Sequence, residues 1–371
     1  MVRPWAHSTR KGISCPSTWR WPRSAALPIS WHGALMPEHP PSVREVAVAD
    51  AAALDALLAQ EDTPFVVRGL AAHWPLVLAG RESAAAARAH LAAHARSRAF
   101  TVSHAGPQAG GRLFYDPAMQ VNFVTAQEPL DAIWARFDAA EAAADSRLVY
   151  MGSIDIPGWF DGLDAANPMP LGERQALASV WIGTATRVAA HNDFPHNLAV
   201  CAVGGRRFTL FPPDQFANLH LGPLDNTPAG RAVSMVDPDA PDLARHPGYA
   251  TALAHAQLAD LAGGDALFIP SGWYHAVDAT APFNVLVNYW WRDTPRWLGQ
   301  PQDALIHAIL AIRDLPEAER AQWRALFEHH VFSGGAAARA HLPAHGQGIL
   351  APLDAAAASR IRAFLLRSLS R

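Results

Sequence analysis

The sequence predicts a mainly β protein flanked by helices, and three observations carry that reading. From Ser179 to Trp291 the chain is mostly short strands broken by turn residues, which suggests a closed or double-sheet β architecture. One long irregular insert, Pro212 to about Ala254, interrupts the strands and carries the Pro- and Asp-rich run VDPDAPD, a surface-loop composition. From Pro301 onward the apolar period turns helical.

The elements follow in order. Asp50 is placed as the N-cap of a helix over AAALDALLAQ. Thr63 to Leu70 reads as a short strand closed by Gly69. After His73-Trp74-Pro75 comes an alanine-rich helix through about His94. Residues 100–105 form a strand, Gly106 to Gly111 a turn, and Phe114-Tyr115 open a short segment. A helix covers 128–143, a strand Leu148 to Met151, and loop Gly158 to Arg174. In the tail, Leu305, Ile306, Ile309, Leu310 and Ile312 make one apolar stripe. Trp323, Leu326 and Phe327 make another, and Ile361, Phe364, Leu365 and Leu369 a third. Core or dimer packing is what such stripes serve.

The chemistry centres on Ala190 to Phe211. Residues i and i+2 of a strand share a face, so His191 and Asp193 offer an imidazole and a carboxylate to one point. That is two thirds of a two-His, one-carboxylate facial triad, the arrangement that holds non-haem Fe(II) with open positions. A chain with 18 histidines holds about one His-x-Asp by chance, so context has to support the spacing. The context is the run GGDALFIPSGWYH, where a turn leads into an apolar strand, a Pro-Ser-Gly break and His275. A strand returning across a jelly roll can place His275 beside His191 and Asp193. The bland reading of a histidine between aromatics is simple packing. The aromatics Trp273, Tyr274, Tyr289, Trp290 and Trp291 either wall that pocket or pack the core. His220, His246 and His255, in or beside the insert, read as ordinary surface histidines.

In order along the chain stand PFVVRGLAAHWP, HND, GGRRFTLFPPDQF, GDALFIPSGWYH and NVLVNYWW. With these motifs in register, the stretch from about Val43 to Trp291 resembles the JmjC-like, cupin-type Fe(II)/2-oxoglutarate oxygenases. It resembles especially the bacterial cupin-like proteins related to asparaginyl hydroxylases and tRNA wybutosine hydroxylases. The resemblance implies a double-stranded β-helix, or jelly roll, within a domain over 43–298 and a β-helix core at about 179–291. It implies His191, Asp193 and His275 as iron ligands. It also implies 2-oxoglutarate and O2 as cosubstrates, and hydroxylation of a C–H bond in a protein, RNA or small-molecule substrate. Arg206 stands where many relatives have the lysine that binds the distal carboxylate of 2-oxoglutarate, and a guanidinium can hold a carboxylate bidentately. Asn197 and Asn288 match asparagines near the cosubstrate and metal, and Tyr150 matches a carboxylate-binding tyrosine. Val188 departs from the hydroxyl residue frequent three places before the first ligand. Arg206 and Arg207 are neighbours on a strand, so only one of them faces the pocket. Some relatives dimerise through C-terminal helices, which makes 301–371 a candidate homodimer surface.

Bulk properties narrow the alternatives. A net charge of −3 argues against a generic nucleic-acid binder. Residues 1–35 carry Arg3, Arg10, Lys11, Arg20 and Arg23 and no acid, which leaves 25 of the 30 basic residues against all 33 acidic ones. That segment has no periodic apolar pattern and reads as an upstream extension before Met36. Two cysteines, Cys15 and Cys201, make neither a disulfide framework nor a metal pair and fit a reducing, cytoplasmic setting. No run of 18 apolar residues marks a membrane span. Two other readings stay open: a cupin metalloprotein with Zn or Mn and non-oxidative chemistry, and a non-catalytic binding protein.

Overall fold

The structure, a computed structural model, describes residues 40–370; the expected extension 1–35 lies outside the described residues. Six helices precede or join the first strands: α1 Ala51–Gln60, α2 Pro75–Glu82, α3 Ala84–His94, α4 Leu130–Ala143, α5 Ile156–Trp159 and α6 Leu163–Ala166. The early strands are β1 Phe65–Val67, β2 Phe100–Ala105, β3 Arg112–Leu113, β4 Val124–Glu128 and β5 Leu148–Asp155. Asp50 caps α1 as expected, its Oδ1 accepting from Ala53 N–H at 2.8 Å. The single alanine-rich helix expected up to His94 is in fact two. Ser83 ends α2 and caps α3, its Oγ accepting from Ala86 N–H at 3.0 Å.

The β core is built from β6 Leu177–Gly183, β7 Arg187–Asn192, β8 His196–Val203, β9 Gly205–Phe211, β10 Gln257–Ala262, β11 Ala266–Ile269, β12 Tyr274–Ala279 and β13 Asn284–Trp291. One sheet runs β1-β11-β8-β13-β6-β5-β2-β4 and the other β10-β9-β12-β7-β3. From β6 to β9 and from β10 to β13, successive strands alternate between the two sheets. The two four-strand faces β11-β8-β13-β6 and β10-β9-β12-β7 make the jelly roll, with the insert, which includes α7 Tyr249–Ala254, between β9 and β10.

Strand alternation sorts the side chains into two cores. Val180, Ile182, Leu198, Val200, Val285 and Val287 face outward from the larger sheet, against the helices. Ala199, Cys201, Leu286, Phe208, Leu210, Leu267 and Val277 meet between the sheets. The first and fourth sequence motifs lie side by side, since β1 pairs with β11. Asp265 joins them, accepting from Gly69 N–H at 2.9 Å, Ala262 N–H at 3.0 Å and Arg68 Nη1 at 2.8 Å. Gly264 has φ +105, and a Cβ there would sit 3.0 Å from the Ala72 backbone, so the turn requires glycine.

Trp74 is fully buried, and its indole N–H donates to Pro168 O at 2.9 Å, which pins the helical N-terminal part to the loop after α6. Trp74→Ala is expected to lower stability by about 3–5 kcal/mol, through the cavity it leaves. Denaturant unfolding checks this as a fall in midpoint at unchanged slope.

The tail forms α8 Pro301–Ala311, α9 Glu317–Phe327, α10 Ala336–Arg339 and α11 Ala355–Leu369. The helical period holds, but its stripes pack no core: α8 and α9 bury no residue, and Leu310 and Phe364 are exposed. No helix among the described residues is long and apolar enough to cross a membrane.

Candidate metal and carboxylate site

β7 and β12 are antiparallel neighbours, and His191 stands directly opposite His275. Their rings lie 4.5 Å apart between centroids. Asp193 sits just past the end of β7, held there by Gly272 N–H donating to Asp193 O at 3.0 Å. Its Oδ2 is 3.8 Å from His275 Nε2. One donor atom from each residue lies within 4.8 Å of the others, the only such group of three among the described residues.

Backbone carbonyls fix both tautomers. His191 Nδ1 donates to Ala189 O at 2.9 Å, and His275 Nδ1 donates to Trp273 O at 3.3 Å. A carbonyl only accepts, so the proton is on Nδ1 and the Nε2 lone pair is free for a metal. His275 is buried, and burial, with His191 adding repulsion, lowers its pKa to about 4 against the pull of Asp193. It is therefore neutral at physiological pH, the form in which imidazole binds a metal. Two nitrogens and one carboxylate oxygen on one side suit a divalent transition metal.

The hairpin after β8 positions the next element. Gly204 has φ +78, and a Cβ there would fall 2.4 Å from Asn284 Oδ1. This tight turn starts β9, on which Arg206 opposes Leu261 and Ala279, while Leu210 opposes His275. Arg206 and Leu210 share the inner face, four residues or about 13 Å apart along the strand. Arg206 is 3% exposed, and its Nε and Nη2 have no partner. Burial pulls its pKa down, opposed by Tyr150 and Cys201, but a guanidinium stays charged at neutral pH. Arg207 points the other way and bonds Asp260 Oδ1 at 2.8 Å on the exposed face. Burial pushes the Tyr150 phenol up to about 12, with the Arg206 charge acting in the opposite sense.

Asn197 and Asn288 are brought together: Asn288 Nδ2 donates to Asn197 Oδ1 at 2.6 Å, leaving Asn288 Oδ1 unpartnered. Ser179, opposite Asn288 on β6, has an unpartnered buried hydroxyl. Thr186 Oγ1 and the indole N–H groups of Trp181 and Trp290 are likewise buried without partners. Sequence reading missed Ser179, Trp181 and Thr186. In the run SVWIG, Ser179 and Trp181 alternate with the outward Val180 and Ile182, and that period of two was the available signal. Trp181 lies 6.0 Å from Tyr150 and 5.7 Å from Trp290 between ring centroids.

Of the five aromatics considered as pocket walls, Tyr289 and Trp291 belong instead to the outer core and Tyr274 packs beneath the insert. A strand shows alternate residues to opposite faces, so of the three aromatics in the NYWW run only Trp290 turns inward, on the face of Asn288. His255 is exposed as expected, but His220 and His246 are half-buried, with rings 4.9 Å apart between centroids.

A jelly roll with a two-histidine, one-carboxylate cluster between its sheets defines a cupin-type metalloprotein architecture. The chain belongs to the cupin-like domain family, whose pattern matches residues 51–296. It is 35% identical over 124 residues to the lysine-specific demethylase JMJ31 of Arabidopsis thaliana, covering 32% of this chain and 22% of that protein. It is 33% identical over 163 residues to the human tRNA wybutosine-synthesizing protein 5, covering 43% and 45%. It is 30% identical over 169 residues to the HSPB1-associated protein 1 homolog of Danio rerio, covering 44% and 36%. The matches thus span less than half the length of each of these relatives.

Proposed function

We propose that the chain is an Fe(II)- and 2-oxoglutarate-dependent oxygenase that hydroxylates a C–H bond of a protein, RNA or small-molecule substrate. The observation that carries this reading is Arg206, a buried guanidinium with two unpartnered nitrogens on the same inner face as His275. An uncompensated buried charge costs several kcal/mol, so the site calls for an anion. A dicarboxylate that reaches from the metal cluster toward Arg206 meets that need. A non-oxidative cupin has no use for a cation placed there, which favours the oxygenase over the Zn or Mn alternative.

His191, Asp193 and His275 hold the Fe(II), and 2-oxoglutarate with O2 supplies the oxidising chemistry when bound. Arg206 holds the distal carboxylate through Nε and Nη2, and the Tyr150 phenol, kept protonated by burial, donates to the same group. Asn197 orients Asn288. Val188 offers the cosubstrate no hydroxyl, and the free hydroxyl of Thr186, two residues earlier, takes that part. Incubating cell extract with protein, Fe(II) and 2-oxoglutarate is expected to give products heavier by one oxygen atom in mass spectrometry. Extracts unchanged beyond the iron-free control would contradict the reading.

The unpacked tail supports a second copy of this chain as its partner. The exposed apolar residues of α8, α9 and α11 need a cover. A two-fold pairing of the tails would place these apolar stripes against one another. Light scattering is expected to give twice the chain mass, and a monomer at micromolar concentration would exclude the pairing.

A further inference from the structure

We propose that the insert between β9 and β10 is a brace that aims the metal-binding histidines, with Ser234 and Arg187 as its positioning residues. The proposal rests on the reading of His191, Asp193 and His275 as metal ligands. It starts from an irregularity in β7. His191 opposes His275, and Val188 opposes Val277. His275 and Val277 are two residues apart and share the inner face, so Val188 and His191 share it too, although they are three apart. An unbroken strand would turn residues three apart to opposite faces. The extra residue is a β-bulge at Ala189-Ala190, and without it His191 would face outward.

A bulge disrupts the ladder locally and needs other partners. Both bulge carbonyls have one. Ala189 O accepts from His191 Nδ1 at 2.9 Å and so sets the ring. Ala190 O accepts from the N–H of Ser234, a residue of the insert, at 2.7 Å. Ser234 is 2% exposed, and its hydroxyl fixes the segment around it: Oγ donates to Leu219 O at 2.7 Å and accepts from Val236 N–H at 3.2 Å. The side chains agree with the backbone. Ala190 packs with Leu219, Val236 and Tyr249 of the insert, and so do Tyr274 and Ala276, the neighbours of His275 on either side.

A polar latch closes the far end of the same segment. Arg187, at the start of β7, bonds Asp237 Oδ1 at 2.8 Å and lies 2.7 Å from Asp239 Oδ2. Arg112 on β3 donates to Val236 O at 3.0 Å. The insert is thus tied down at the residue that holds the bulge and again just beyond it, at Val236, Asp237 and Asp239. Its shape could have served the entrance of the site alone, but these contacts fall behind the histidines, on the outer face of β7 and β12. An outer layer of this kind sets the donor directions, and loss of such support typically costs a metal site ten- to a hundredfold in affinity.

The test uses the full chain with Co(II) as the probe, read by its visible absorption and by titration well below the melting temperature. Ser234→Ala and Arg187→Ala are each expected to weaken Co(II) binding about tenfold and to shift the absorption bands, with faster amide exchange at 189–191. Arg187→Lys, which keeps the charge on the latch, is expected to recover part of both effects. Arg187 is partly exposed, so its variants decide the matter if Ser234→Ala does not fold. Variants whose insert exchanges faster but whose Co(II) affinity and spectrum match wild type would overturn the brace alone. Wild-type protein that takes up no Co(II) would overturn the metal reading and the brace with it.

Discussion

Alanine at Asp193 is expected to reduce Fe(II) or Co(II) affinity by at least about a hundredfold, more than loss of a supporting residue costs. The carboxylate is the one anion in the cluster and lies 3.8 Å from His275 Nε2. Without it two neutral imidazoles remain, which cannot balance a divalent charge between two sheets of low polarity. The fold should survive, because Asp193 lies beyond the end of β7 and its structural bond, from Gly272, goes to its backbone carbonyl. Calorimetric titration of metal into the variant, beside its thermal unfolding curve, checks both parts. Wild-type affinity in a well-folded variant would remove Asp193 from the metal site.

Alanine at Arg206 is expected to act on the cosubstrate and spare the metal. Loss of a buried, charge-assisted pair costs about 2–5 kcal/mol, or roughly 30- to several-thousand-fold in the half-saturating 2-oxoglutarate concentration. Arg206→Lys should recover part of this, since lysine supplies the charge without the fork. Arg207→Ala serves as the neighbouring control. Its pair with Asp260 is exposed, and such pairs are worth about 1 kcal/mol or less. Turnover of 2-oxoglutarate at varied concentration separates the three variants. Equal saturation curves for Arg206→Ala and wild type would contradict the carboxylate assignment.

The parts of this site that were legible in the sequence depend on local spacing. His191-Asn192-Asp193 signals itself because two donors two residues apart share a face. The alternation of Arg206 with Arg207 narrowed the inward cation to one of two adjacent residues. The strand-and-turn pattern indicated a closed or double-sheet β architecture, and the resemblance carried by the motifs implied the jelly roll and pointed to His275. What stayed hidden depends on register between distant segments. The bulge at Ala189-Ala190 is visible only against β12, so the i, i+2 spacing of His191 and Asp193 said nothing of how His191 is turned inward, and Asp193 itself lies just past the strand. The insert looked like loop because its order comes from packing on β7 and β12, not from any period of its own. The tail stripes were periodic, but period alone does not tell an inner face from an outer one, and here they lie exposed.

Anaerobic titration of the Fe(II)-loaded protein with 2-oxoglutarate, followed by visible absorption, tests the central claim most directly because it needs no knowledge of the substrate. Chelation of the metal by the keto acid gives a charge-transfer band. The account expects that band to saturate with one 2-oxoglutarate per chain, to vanish in Asp193→Ala, and to require far more 2-oxoglutarate in Arg206→Ala. An Fe(II)-loaded protein that develops no band at any 2-oxoglutarate concentration would contradict it.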